Sequence, residues 1–273
     1  MAPRLTRPTA TANKLVNIMT LDSASKQRTN NMGETEPYVN SISYFPDGKQ
    51  MIGGSTDNAA RRWDLQTGKE IVDERVVCEW EVRAVAVSSD NRWVITAGGD
   101  QDLGELKACE VETGMMKAFE GHSDIVTCID VSVDNKLLAS GSLDHTARIW
   151  DLSLNTGKLV AGPFECVDTD SVVAVRFSQD SKKLAVKSRA YGGCLEVWDI
   201  QEQKLDVAKR GCCGRRRLTF NSDMFWTTKD RSIVTAFKLE GDSEDPSDSL
   251  LRIHDFDAST LELAVPFKDA PKL

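Results

Sequence analysis

His122, Ser140 and Asp144 are the three side-chain types of a nucleophilic acyl-transfer triad, and they lie in one short stretch of the chain. A triad needs its serine exposed beside an oxyanion site and a substrate cleft. Ser140 instead falls in the middle of the small, apolar run KLLASGS (136–142), which has the character of a strand interior. The three histidines, His122, His145 and His254, share no helix-face spacing, and the seven cysteines show no metal-ligand spacing, so no zinc site is expected. Cys212 and Cys213 are adjacent and chemically able to change redox state, but nothing around them in sequence marks a lowered thiol pKa. No G-x-x-x-x-G-K-[ST] phosphate loop occurs, and no Gly-rich turn opens a helix. The pairs Gly53-Gly54, Gly98-Gly99 and Gly192-Gly193 fit strand ends and hairpins. The expectation is therefore no catalytic residue, no metal and no cofactor.

The elements around these residues repeat. The stretch 121–151 (GHSDIVTCIDVSVDNKLLASGSLDHTARIWD) holds three short strands at 125–131, 136–142 and 147–152. Asp134-Asn135 separates the first pair and Leu143-Asp144-His145 the second, with Asx chemistry that favours tight turns. A fourth strand, 158–164, follows the turn Asn155-Thr156-Gly157. Placing Asp47, Asp90, Asp134 and Asp180 in register aligns YVNSISYF, VRAVAVS, IVTCIDVS and VVAVRFS before them. It also aligns Trp63-Asp64, Cys109-Glu110, Trp150-Asp151 and Trp198-Asp199 after them. A fifth, more divergent unit opens on RRRLTF and closes with His254-Asp255 where Trp-Asp stands elsewhere; MFWTT and SIVTAFKLE compete for its second strand.

A Gly-His head, a Trp-Asp end and a repeat bracketing about 40–45 residues resemble the WD40-repeat β-propeller family. The resemblance implies an all-β fold, a WD40-type β-propeller of about five four-stranded antiparallel blades. These either close as a five-bladed ring or form an incomplete seven-bladed array. The blades fall at 34–77, 78–119, 121–164, 165–207 and 208–267. The family pattern also implies a hydrogen-bonded network, which maps onto His122, Ser140, Asp144 and Trp150. An indole only donates, a carboxylate only accepts, and a half-buried imidazole relays between them. Blade one keeps Asp57 and Trp63 with Thr35 and Gly53 at the other places. Blade two keeps Thr96, with Asp100 or Asp102 in the turn and Cys109 for the tryptophan. Blade four keeps Trp198, with Asp168, Val186 and Ala190; blade five offers His254.

Composition bounds the rest. A 273-residue chain with 40% hydrophobic content supports a sizeable core, provided each strand unit buries its faces on neighbours. A net charge of −8 argues against nucleic acid as the main partner. No apolar run approaches the ~20 residues of a membrane span, and no signal peptide opens the chain. An odd cysteine count without a disulfide framework points to an intracellular, cytoplasmic or nuclear setting. Residues 1–33 are expected to be a polar tail, in which KLVNIMTL (14–21) either pairs as a ring-closing strand or is a chance apolar cluster; 268–273 form a second tail. The basic run KRGCCGRRR (209–217) and the acidic insertion GDSEDPSDS (241–249) are expected in solvated loops.

Loops on a rigid scaffold are where binding residues collect. WD-repeat proteins act as adaptors, so the resemblance implies a non-catalytic scaffold binding other proteins or peptides. The positions it selects are Trp80, Glu81, Arg83, Ser123, Asp124, Leu143 and Arg189. Trp80 and Arg83 stand out because aromatic and arginine side chains dominate binding hot spots; Trp80 serves either there or in packing between blades. The alternative is a regulatory or sensor propeller segment of a larger multidomain signalling protein. Oligomeric state is left open.

Overall fold

In a computed structural model the described residues are 38–71, 78–153, 157–166, 171–189, 193–211, 224–237 and 252–263. They build four four-stranded antiparallel sheets and one three-stranded sheet. Blade one is β1 (Val39–Tyr44), β2 (Gln50–Ser55), β3 (Ala60–Asp64) and β4 (Glu70–Ile71). Blade two is β5 (Val82–Val87), β6 (Trp93–Gly99), β7 (Gly104–Glu110) and β8 (Met116–Ala118). Blade three is β9 (Val126–Val131), β10 (Leu137–Ser142), β11 (Thr146–Asp151) and β12 (Leu159–Glu165). Blade four is β13 (Val172–Phe177), β14 (Lys183–Ser188), β15 (Cys194–Asp199) and β16 (Lys204–Arg210). Blade five shows β17 (Met224–Trp226), β18 (Ser232–Phe237) and β19 (Arg252–Asp257). KLVNIMTL, the basic run beyond Gly211, RRRLTF and the acidic insertion lie outside the described residues.

The first hairpins of blades one to four repeat one device. Asp47, Asp90, Asp134 and Asp180 each accept a hydrogen bond from the amide two residues on, at 2.9, 3.0, 3.2 and 3.0 Å. The residue between bends the chain back at positive φ: Gly48 (67°), Asn91 (62°), Asn135 (58°) and Ser181 (58°). Asparagine tolerates this region because its short polar side chain bonds locally. The turns also interlock. Asn135 Oδ1 accepts the Ser89 amide of the preceding blade at 2.8 Å, and Asp230 Oδ1 accepts that of Gln179 at 2.7 Å.

Inner strands pack side by side, β1 on β5, β5 on β9, β9 on β13 and β13 on β17. Valines at the start of each inner strand are buried under the second strand of the blade before: Val82 and Val85 on Gly54, Val172 on Gly141. Burial of each such valine contributes about 1.5–3 kcal/mol. Glycine is needed there because a Cβ at Gly54 or Gly141 overlaps the incoming valine; one position further along blade two, a Cβ at Gly98 overlaps the Glu81 carbonyl of the same blade. Blades two and four depart from the glycine: the matching positions are Ala97 and Lys187, both buried. On the other flank, Val39 and Ile42 of blade one are 56% and 53% exposed, whereas Val82, Val85, Val126, Ile129, Val172 and Val175 at the same places are buried. Among the described residues nothing covers that side of blade one as the interior seams are covered.

Blade five resolves one open alternative and corrects one expectation. Its second strand is β18, from SIVTAF, while MFW supplies the inner strand β17. The register pairs Ile233 with Phe256 and Ser232 with Asp257, as Leu138 pairs with Trp150 and Leu137 with Asp151. Phe256-Asp257 therefore occupies the Trp-Asp position, and His254 sits two residues earlier, opposite Thr235. The core prefers the apolar ring: Phe256 is fully buried among Ala174, Leu195 and Ile233.

Candidate functional site

On blade three, β10, β11, the turn between them and the loop before β9 together hold four side chains in a relay. Trp150 Nε1–H donates to Ser140 Oγ at 2.8 Å, and Ser140 Oγ lies 2.7 Å from His122 Nε2. His122 Nδ1 lies 2.7 Å from Asp144 Oδ2. Because the indole only donates and the carboxylate only accepts, the chain closes in one direction. The hydroxyl gives its proton to Nε2, and Nδ1–H points at Asp144. Thr146 adds its amide at 3.0 Å and its hydroxyl at 2.7 Å to Asp144 Oδ1. Burial alone raises the Asp144 carboxyl, but the His122 hydrogen bond, with both Thr146 bonds, holds it well below the usual carboxylate range. Ser140 is fully buried and both of its neighbours are engaged, so it meets no substrate.

Elsewhere the relay positions carry substitutes. On blade one Asp57 takes a two-pronged bond from Arg61, with Nη1–Oδ1 at 3.1 Å. Burial raises that carboxyl too, and the Arg61 hydrogen bond and charge outweigh it to lower the pKa. Trp63 lies over Gly53, where a Cβ would come within 3.0 Å of the ring; Thr35 is outside the described residues. On blade two Cys78 stands at the His122 position and its thiol bonds Thr96, while burial pushes that thiol up to about 11. Of the two turn candidates Asp100 is the one that folds the loop, accepting the amides of Asp102 and Leu103 at 3.0 and 2.8 Å. On blade four Trp198 Nε1–H donates 3.0 Å to Glu196 Oε2, not to the strand opposite, where Val186 has no acceptor. Asp168 and Ala190 lie outside the described residues.

Trp80, Glu81, Asp124, Leu143 and Arg189 all lie where inner strands begin and second strands end, opposite the aspartate turns. Trp80 is 39% exposed. Its loop is tied down, since the Glu79 and Trp80 amides donate to the two Glu105 oxygens at 3.2 Å each. Glu105 is itself held by Lys107, 2.5 Å away. Arg83 pairs with Glu81 at 2.6 Å and lines the central channel. Asp124 Oδ1 accepts the Ile125 amide at 2.7 Å, and its carbonyl accepts the Ser142 hydroxyl at 2.8 Å. Leu143 and Arg189 are anchored through their amides to Ile125 and Ser171, at 2.9 and 2.8 Å. Sequence reasoning missed Cys78 and the Glu105–Lys107 clamp. The signal for Cys78 was its matching distance before the first strand. The clamp left no signal, because it joins a loop to a strand of the same blade far along the chain.

Three segments, 26–64, 76–103 and 114–151, match the family model of the WD domain, G-beta repeat. Protein groucho of Drosophila melanogaster is 30% identical over 121 residues, 44% of this chain and 16% of that protein. Periodic tryptophan protein 2 homolog of Schizosaccharomyces pombe is 31% identical over 140 residues, 50% of this chain and 16% of that protein. Transducin-like enhancer protein 2 of Mus musculus is 31% identical over 121 residues, 42% and 15%. The matched segments thus span no more than 16% of any of these relatives. With those matches lying over blades one to three and the same four-strand unit recurring in blade four, the chain carries WD40 repeats folded as antiparallel β-propeller blades.

Proposed function

We propose that residues 34–267 act as one non-catalytic interaction scaffold that grips a protein or peptide at the loop end of the blades. The observation that carries this reading is Trp80: a partly exposed indole on a backbone clamped to Glu105, beside the Arg83–Glu81 pair. A pre-ordered aromatic loses little entropy on binding, which is what a hot spot requires. Asp124, Leu143 and Arg189 extend the same end across blades three and four. The proposed setting is intracellular, cytoplasmic or nuclear. Among the described residues no helix is long and apolar enough to cross a membrane.

The test is peptide selection on the whole chain, followed by affinity measurement of the selected peptides. Trp80→Ala is expected to weaken binding at least about tenfold. Val133→Ala, at the exposed opposite end, is expected to leave it unchanged. Equal affinity for both variants overturns the proposal. A second reading, a propeller segment of a larger multidomain protein, is favoured by the small share of the relatives matched and by the flank of blade one, which is exposed among the described residues. Self-association of the chain in a size measurement, abolished by Ile42→Lys, supports it; a monodisperse monomer counts against it.

A further inference from the structure

The inner strands β1, β5, β9 and β13 line a channel-like cavity of about 720 Å3. Two guanidiniums, Arg83 and Arg176, line it against one carboxylate, Asp130. Each seam must also satisfy the outward amides of the incoming inner strand. In the first seam Val85 and Val87 donate to the hydroxyls of Ser41 and Ser43, both at 3.2 Å. In the third seam Phe177 donates to Asp130 Oδ2 at 2.7 Å. In the second seam the register puts Ala84 and Ala86 where those serines stand, opposite Ile129 and Val131. A methyl group accepts nothing. Arg176 Nη1–H donates to the Ile129 carbonyl at 3.3 Å and to the Val175 carbonyl at 3.0 Å. A strand residue directs its N–H and C=O to the same edge, so the Ile129 amide lies on that channel edge beside the guanidinium.

We propose that the second seam of the channel binds a small oxyanion, a carboxylate or phosphate group. The Ile129 amide and Arg176 are its donors, and Arg83, paired at one nitrogen with Glu81, is a second positive charge. Backbone amides together with a guanidinium fork are the donor set such groups take. Asp130 takes the Val131 amide as well as that of Phe177 at 2.7 Å, with its other oxygen 3.8 Å from Arg176, and so leaves the Ile129 amide to the anion.

Calorimetric titration of the whole chain with citrate, inorganic phosphate and a short glutamate-rich peptide tests this. Saturable binding is expected for at least one of the three. Small anions alone point to a free ligand, the peptide alone to a partner's side chain, and either result supports the site. Arg176→Gln is expected to weaken binding at least about tenfold. The double substitution Ala84→Ser and Ala86→Ser supplies the hydroxyls of the first seam. It is expected to weaken binding equally while Tm holds or rises, which a merely unfolded variant does not show. Trp80→Ala is expected to leave anion binding unchanged, so this site stands or falls apart from the loop-end scaffold. No saturable binding, binding untouched by the serine pair, or a fall in Tm of the serine variant overturns the proposal.

Discussion

The Lys187 ammonium on β14 donates a 3.1 Å hydrogen bond to the Thr235 hydroxyl on β18, joining blade four to blade five. It also donates to the Ala236 carbonyl. In the three earlier seams this position is small, Gly54, Ala97 and Gly141, and at the two glycines valine side chains of the next blade fill the space beyond it. The last seam substitutes a polar pin for that apolar seat. Lys187→Ala removes both hydrogen bonds and leaves a void. Urea denaturation should show a loss of about 2–4 kcal/mol.

Glycines in this chain are required for two separable reasons, and substitutions tell them apart. At Gly141 the backbone is ordinary but the space is taken, since a Cβ overlaps Val172 and comes within 2.8 Å of Cys128 Sγ. Gly141→Ala should cost about 2–4 kcal/mol through overpacking at the third seam. At Gly48 the space is open and only φ, at 67°, is special. Gly48→Asn puts there the residue found at positions 91 and 135. Its midpoint of thermal unfolding should stay within about 2 °C of the parent.

Ser140→Ala removes the middle of the blade-three relay and orphans the Trp150 indole N–H beside an unpaired imidazole nitrogen. Both are buried, so the expected loss is about 2–3 kcal/mol in a denaturant titration. Thr96→Ala on blade two, where only a thiol depends on the hydroxyl, should cost about half as much.

Two carboxyls give pH dependences of opposite sign. Asp144 is held below its unfolded value of about 4, so its stabilisation is complete above that pH and disappears as pH falls through the folded value. The gap between the parent and Asp144→Asn should be on the order of 2 kcal/mol near neutrality and close in acid. Asp130 is raised to about 6 by burial, which outweighs the Arg176 charge and the Phe177 amide bond. The fold gains from its proton below about 4 and loses that gain as pH rises through about 6. Asp130→Asn should therefore stabilise the chain by about 1–2 kcal/mol at pH ~8 and have no effect near pH ~4, read from chemical denaturation at each pH.

The four aspartate turns were legible because each repeats an Asx bond and a left-handed residue within five positions, a local signal that needs no tertiary context. The third strand of blade five was not. His254-Asp255 and Phe256-Asp257 both offer a ring followed by an aspartate, and a shift of two residues leaves every side chain on its original face, so strand periodicity cannot choose between them. Burial chooses, and it takes the phenylalanine. Lys187 was overlooked for a similar reason. A lysine at the end of a strand suggests solvent, and only the packing of the next blade makes the position internal. The relay residues could be paired by family pattern, but the switch on blade four from a cross-strand hydroxyl to Glu196 on the same strand depends on side-chain reach.

A complete indole-to-carboxylate chain is described only on the central unit of five. In a stack where each member touches just its neighbours, local strength decides the order of opening. Amide protons of β10 and β11 should accordingly be the slowest to exchange with deuterium, and protection should fall away toward both flanks, so that the molecule loosens from its rims while its middle stays shut.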